Sequence, residues 1–317
     1  MSLAVCGVVA AKGEKKRTAI AVPGSSVKIP MTIINGTKDG PLLLLMSGIH
    51  GSEYPGIAAL IELGRDLVPS KINGAVVMLH PVNVQAFWER RDRIVPEDAK
   101  NLNRVFPGKA DGTLSERIAD LIVREFFPKA DFFADLHSGD INEDLFPYVY
   151  YPGQPSLGIE RRSKKIAMCL DLQYMVRSLA TNGAYNYAAT AGLPSILIER
   201  GCLGCCHRPI IDAYKKDIMR IFSALGMSDV PPIPRLHTPR DVTNLIYLAS
   251  QTDQCWFSRA RIGSFIHKGK ELGYTTDFYG ENKRVFYAEQ SGVVLYRCSA
   301  LSAQTGTVLV AYGALEV

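Results

Sequence analysis

Apolar and polar positions follow two different rhythms along this chain. In the first part, short apolar runs recur: VKIPMTII (27–34), PLLLLMSG (41–48), AVVMLHP (75–81), ADFFADLH (130–137), FPYVYY (146–151) and PSILIERG (194–201). Runs of this length between turn-forming residues predict buried strands. Between them the apolar spacing lengthens to three and four. Ile57, Leu60, Ile61 and Leu63 predict a helix from Pro55 to Asp66, with Pro55 tolerated in its first turn. Thr113 and Glu116 form a capping-box signature ahead of Ile118, Leu121 and Ile122, and helical windows also fall at 159–170 and 209–225. Strands alternating with helices predict an α/β domain with a mixed, largely parallel sheet flanked by helices.

The rhythm changes at SDVPPIPRLHTP (228–239), where clustered prolines predict a boundary. Beyond it come TNLIYLAS, QCWFS, KRVFYAEQ, GVVLYR and TGTVLVAYG, with no helical window. The expected organisation is one α/β domain over 1–235 and a small all-β domain over 236–317.

Composition narrows the picture. With 317 residues and 47% hydrophobic residues the chain can bury a large core, and its 21% charged residues are spread out, which argues against long disorder. A net charge of +5 is mildly basic. Lys/Arg blocks dense enough for nucleic acid are absent, and GEKKR (13–17) reads as a solvated turn. A weak positive field suits a small anionic substrate. No apolar run approaches the ~18 residues of a membrane span. The start, MSLAVCGVVAA, lacks a basic n-region and does not read as a signal peptide, despite a faint lipoprotein-like LAVCG. Seven cysteines, an odd number, fit reduced thiols in a cytoplasmic protein better than a disulfide framework.

In open α/β sheets, ligands gather beyond the carboxyl ends of the strands. Three predicted strands carry ionisable residues there: His50 and Glu53 after LLLLMSG, His137 after DFFADL, and Glu199 after SILI. A catalytic zinc takes three protein ligands and keeps one position open. His50, Glu53 and His137 make such a set, one zinc per chain. Glu199 is left over to take a proton from water and deliver it to a leaving amine. Asp135, two residues before His137, is placed to accept the outer N–H of a liganding histidine, with His50 the favoured partner. The glycines of GIHGSEYPG leave room for metal and substrate at the backbone. The polar segment 87–108 carries Arg90, Arg91, Arg93 and Arg104, residues suited to a substrate carboxylate or an oxyanion.

Taken in order, GIHGSEYPG, NLNRVFPG, DLHSG and ILIERG resemble the motifs of the zinc carboxypeptidase superfamily, and more closely its succinylglutamate desuccinylase/aspartoacylase branch, over most of residues 27–205. The resemblance implies a zinc carboxypeptidase-like fold. It implies zinc ligation by His50, Glu53 and His137, with Glu199 as general base and acid. It implies that Asn103 and Arg104 receive a substrate carboxylate, and that Arg93 polarises the scissile carbonyl. Arg91 competes for that last role because the loop register is open. One departure stands out: the family commonly has Asp-Leu-Asn-Arg where this chain has Asn101-Leu102-Asn103-Arg104. Losing that acid bears on how the loop is held or on substrate preference, and touches no proposed ligand.

The region GSFIHKGKELGYTTDFYGENKRVFYAEQSGVVLYR resembles the sandwiched-hairpin fold of lipoyl and biotinyl domains. Its matching tip, Asp277-Phe278-Tyr279-Gly280, lacks the modifiable lysine, and Lys283 reads as an ordinary loop residue. CLGCCH (202–207) offers Cys202, Cys205, Cys206 and His207, but a closed zinc site draws a second ligand pair from elsewhere and none is evident. His80 reads as a packed histidine, His237 and His267 as unassigned, and Tyr185 and Tyr187 as residues within reach of substrate.

The expected function is a zinc-dependent amide hydrolase that deacylates an N-acyl amino acid or similar small carboxylate. Two alternatives stand beside it: a metallocarboxypeptidase acting on peptides, and a non-catalytic protein of the same fold that grips an anionic ligand. Neither nucleic acid nor membrane is an expected partner, and a homo-oligomer is left open.

Overall fold

Five successive apolar residues, Leu42 to Met46, mark the centre of the fold. In the computed structural model, which describes residues 2–154, 156–229 and 231–316, they lie in the strand Lys38–Ser47 and are all buried. Side chains alternate across a strand. Leu42, Leu44 and Met46 enter one apolar cluster while Leu43 and Leu45 enter another, so both faces of the sheet are covered. On the Leu43 side pack the helices Tyr54–Asp66, Leu157–Ala167 and Arg208–Ala224, through residues such as Leu60, Ile166 and Ile218. On the Leu42 side pack Leu114–Glu125 and Ala184–Thr190, through Ile118, Ile122 and Ala188. The Glu116 carboxylate accepts from the Thr113 N–H at 2.9 Å, so the predicted start of the Leu114 helix is where the capping residues put it.

The strands Asn73–Pro81, Lys38–Ser47, Phe132–His137 and Ser195–Glu199 lie side by side and parallel. Tyr148–Pro152 joins antiparallel to Ser195–Glu199, and Tyr174–Ser178 then runs parallel to Tyr148–Pro152. The expected mixed, largely parallel α/β sheet flanked by helices is therefore the observed core.

Several elements were not visible in the sequence pattern. GEKKR is not a solvated turn: Lys15, Lys16 and Arg17 open the strand Lys15–Ala21, which pairs with Lys28–Asn35 at the edge of the sheet. Its exposure alternates, with Arg17, Ala19 and Ala21 exposed and Ile20 buried between them, which suits an edge strand with one wet face. Tyr174–Ser178, Glu271–Thr276 and the helix Ala184–Thr190 are also additions.

After residue 236 the described chain is strands and turns, as expected. The sheet does not break at the proline-rich segment, in which Val230 lies outside the described residues. Arg240–Ala249 pairs parallel with Tyr174–Ser178 and antiparallel with Val308–Leu315, which pairs in turn with Gly292–Cys298. A separate four-stranded sheet packs Trp256, Leu272 and Phe286 against Val294 and Val310. No described helix is long and apolar enough to cross a membrane. All seven cysteines are free thiols.

Candidate active site

The parallel arrangement puts the carboxyl ends of three neighbouring strands at one edge. Lys38–Ser47 ends three residues before His50 and six before Glu53; Phe132–His137 ends on His137; Ser195–Glu199 ends on Glu199. Tyr214, fully buried on the Arg208–Ala224 helix, braces two of these ends: its hydroxyl contacts the His137 carbonyl and donates to the Ile198 carbonyl at 3.0 Å. The glycines of the turn accommodate protein, not ligand. Gly48 has φ +67°, and an added Cβ would meet Pro81 at 2.7 Å; at Gly51 it would meet Ala86 at 2.3 Å. That corrects the expectation that they make room for metal and substrate.

Glu53 sits between the two histidines. His50 Nδ1 lies 2.6 Å from Glu53 Oε1, and His137 Nδ1 lies 3.0 Å from Glu53 Oε2, which also accepts from the Ser138 N–H at 3.1 Å. All three side chains are buried, and one ligand atom from each lies within 4.8 Å of the others. Burial alone would raise the Glu53 carboxyl, but His50 and His137 overturn this and hold it well below the usual carboxylate range.

The outer face of each ring meets an acceptor. His137 Nε2 lies 3.2 Å from Asp135 Oδ2, and His50 Nε2 lies 3.3 Å from Asn101 Oδ1. Asp135 is therefore beside His137, not His50, because residues two apart on a strand share a face. The contact is close but not an aligned hydrogen bond. Burial works against a charge on His137, yet Asp135 and Glu53 outweigh it and raise its pKa well above the ordinary value. The Asn101 departure, expected to touch no proposed ligand, does reach His50.

With both Nε2 atoms facing acceptors, both Nδ1 atoms converge on a carboxylate. Such a set of three electron-pair donors calls for a cation among them, and two histidines with one carboxylate is a donor set suited to zinc. Among the described residues this is the one group of His, Cys, Asp and Glu arranged so; the loop 202–207 forms none.

The set opens onto a cavity of about 440 Å³ that is also lined by Arg93, Asn101, Asn103, Arg104, Glu143 and Glu199. Glu199 Oε2 is buried and has no hydrogen-bond partner among the described residues. Its carboxyl is pushed up to about 8: burial raises it, as do Glu53 and Asp135, while His137 and Arg93 pull it down. Asn103 Oδ1 accepts the Ala184 N–H at 2.9 Å, so its Nδ2 end is left to donate; Arg104 bonds the Asn103 carbonyl at 3.0 Å and forms no ion pair among the described residues. Arg93 also reaches the cavity, but its guanidinium already meets Asp140 at 3.1 Å and Glu143. Arg91 is exposed beside Glu89 at 3.7 Å and lies outside the cavity lining.

Sequence reasoning missed a tyrosine wall. Tyr148 and Tyr150, two apart in FPYVYY and so on one face, line the cavity with Tyr185, Tyr247 and Tyr296. The Tyr148 hydroxyl lies 3.2 Å from that of Tyr150, and Tyr150 lies 2.9 Å from Tyr247, which comes from beyond the proline-rich segment. Of the pair Tyr185 and Tyr187, Tyr185 alone lines the cavity. His80 is buried, with Nε2 2.8 Å from Thr32 Oγ1. His237 lies 3.2 Å from Asp171, and His267 packs edge-on to Phe265, both away from the cavity.

The succinylglutamate desuccinylase/aspartoacylase catalytic-domain model matches residues 39–225. Over 124 residues the chain is 41% identical to an N-alpha-acetyl-L-2,4-diaminobutyric acid deacetylase of Halomonas elongata, a stretch that is 39% of this chain and 36% of that relative. The match thus spans little more than a third of the relative's length. Two solved structures share the fold along nearly the whole chain. The product-bound ectoine utilization protein EutE (DoeB) of Ruegeria pomeroyi has a TM-score of 0.86 at 24% identity, covering 95% of each chain. A succinylglutamate desuccinylase/aspartoacylase of Rhodobacter sphaeroides has 0.86 at 21% identity, covering 96% of each. With the family match covering more than half of its length, this chain belongs to the succinylglutamate desuccinylase/aspartoacylase family.

Proposed function

We propose that the chain is a zinc-dependent amide hydrolase that removes the acyl group from an N-acyl amino acid or similar small carboxylate. The observation that carries this reading is the convergence of His50 Nδ1, His137 Nδ1 and the Glu53 carboxylate beside a cavity holding the unpartnered Glu199 Oε2. His50, Glu53 and His137 hold one zinc per chain. Bound there, zinc polarises a carbonyl and lowers the pKa of a coordinated water to about 7.

The remaining steps fall to side chains of this protein. Glu199 takes a proton at Oε2 as water adds to the amide carbon, then gives it to the departing nitrogen as the C–N bond breaks, leaving a carboxylate and an amine. Asn103 Nδ2 and Arg104 hold the substrate carboxylate. Arg93 faces the developing oxyanion, held in place by Asp140 and Glu143. Asp135 stabilises the orientation of His137. The tyrosine wall excludes water around the acyl group.

Charge in the cavity supports a substrate with one carboxylate. Arg104 has no carboxylate partner among the described residues, whereas Arg93 has two. The name of the Halomonas elongata relative makes an acetylated diamino acid one candidate substrate. The free thiols suit a reducing compartment, and we assign the protein to the cytoplasm on that ground. Incubation with a panel of N-acyl amino acids, read by release of free amine, tests the reading; no release from any member, with zinc bound, contradicts it.

A further inference from the structure

We infer that Cys202 and Cys205 are a redox-active dithiol, a modification site that closes reversibly into a disulfide and acts on Arg93 through the loop beside it. The turn between them is already shaped for the bond. The Cys205 N–H donates to the Cys202 carbonyl at 3.1 Å, and the two central residues, Leu203 and Gly204, have φ of +56° and +59°. A four-residue turn closed in this way holds its first and last Cα within about 7 Å, and a disulfide joins Cα atoms about 4.4–6.8 Å apart. Adjacent residues, at about 3.8 Å, fall short of that span, so Cys205 pairs across the turn and not with Cys206. Cys205 Sγ is folded over the bend, 3.6 Å from the Leu203 carbonyl. Both thiols are half-buried. Burial raises the Cys202 thiol above its ordinary value, and the charges of Asp144 and Cys205 add to this against the Leu145 N–H, so the two thiols act on each other.

A low-molecular-weight disulfide is the oxidant. The Cys205 thiolate attacks one of its sulfurs and expels a thiolate, leaving a mixed disulfide on Cys205. Cys202 then loses its proton, attacks Cys205 Sγ and expels the second thiolate. The external disulfide is reduced to two thiols, which take up the two protons released, and the cysteine pair is oxidised. The turn grips the loop that holds Arg93. The Leu203 N–H donates to the Glu143 carbonyl at 2.8 Å, the Gly204 N–H to the Gly139 carbonyl at 3.4 Å, and the Gly139 N–H to the Gly201 carbonyl at 2.9 Å. A Cβ on Gly139 would come within 3.1 Å of the Cys202 Cα, so no slack separates the two segments. Asp140 and Glu143, on the gripped loop, are the acids that hold the Arg93 guanidinium. Drawing the two sulfurs together therefore shifts Arg93 in the cavity. This effect on turnover rests on the function proposed above; the pairing does not.

Equilibration of the full-length, zinc-loaded chain with oxidised glutathione tests the inference, followed by alkylation of the remaining thiols, peptide mass mapping and an amine-release assay. Two of the seven cysteines are expected to escape alkylation, joined as Cys202–Cys205, and a phosphine reductant should restore both. The oxidised chain should turn over roughly 10–100-fold more slowly, the cost of a displaced catalytic group. Cys206→Ser should still form the bond. Cys205→Ser should form none and keep its turnover under both conditions. Seven alkylated cysteines throughout, or a bond to Cys206 in place of Cys202, overturns the dithiol. A Cys202–Cys205 bond with unchanged turnover, or an equal loss of turnover in Cys205→Ser, overturns the link to Arg93. Reduced wild type that releases no amine from any N-acyl amino acid overturns the deacylase reading instead, and the thiol map still decides the pairing.

Discussion

His137 and Glu199 occupy a directly paired position on two neighbouring parallel strands. One register position therefore sets a proposed metal ligand beside the proposed proton carrier, and the strand ladder, not a flexible loop, fixes their separation. Glu199→Gln keeps the shape and removes the proton-accepting oxygen. We expect zinc content to stay at wild-type level while kcat falls by roughly 10²–10⁴-fold. Steady-state kinetics with metal analysis on the same sample checks this; turnover near wild type removes Glu199 from the mechanism.

Arg104 and Arg91 separate two readings of the basic segment. Arg104 lines the cavity with no ion-pair partner among the described residues, and Arg91 is exposed beside Glu89. Losing a hydrogen-bonded charge contact costs about 1.5–3 kcal/mol. Arg104→Ala should therefore lower kcat/KM by roughly 10–150-fold, mainly through KM. Arg91→Ala should stay within about twofold. The reverse ranking in a kinetic comparison contradicts the carboxylate site.

Tyr247 carries the strands after residue 236 into the site through its 2.9 Å hydroxyl contact with Tyr150. Tyr247→Phe removes one hydrogen bond, about 1 kcal/mol, so a KM increase of roughly fivefold is expected, with zinc content unchanged. Deleting 236–317 removes the Arg240–Ala249 neighbour of Tyr174–Ser178 and should give insoluble chain. A soluble deletion with unchanged kinetics rules out a role for those strands in shaping the site.

His80 makes stability depend on pH. Burial pushes its pKa down to about 4, helped by Arg17, against about 6.5 unfolded. The unfolded chain therefore takes up the proton first. This contribution is fully present above pH ~6.5 and is lost as pH falls toward 4, at most about 3 kcal/mol. Denaturant unfolding of wild type and His80→Gln across this range should show the steeper loss in wild type; parallel curves contradict it.

The layers of the fold and the grouping of His50, Glu53 and His137 were legible because both follow from strand physics. A run such as Leu42 to Met46 can only be buried on both faces, and polar residues just past such strands fall at one edge. What escaped depended on distant pairing. Lys15–Ala21 is polar enough to look like a turn until Lys28–Asn35 is seen beside it. Tyr148, Tyr150 and Tyr247 form a wall only because Arg240–Ala249 joins the central sheet. Spacing gives the face of a strand but not the direction of a ring, so the sequence favours His50 as the partner of Asp135 where the structure has His137. Asn101 looked remote from His50, 51 residues earlier in the chain, until the 90–108 loop was folded back over the Ile49–Glu53 turn.

Zinc-dependent deacylation is the central claim, and amine release by metal-free and zinc-restored protein tests it most directly. The enzyme is stripped with a chelator, dialysed, and assayed on N-acyl amino acids that include an acetylated diamino acid, before and after one equivalent of zinc. The account predicts no release from the stripped protein and recovery on adding one zinc per chain, with His50→Ala and His137→Ala failing to recover. Full activity in protein shown to be free of metal, or recovery in both histidine variants, would contradict it.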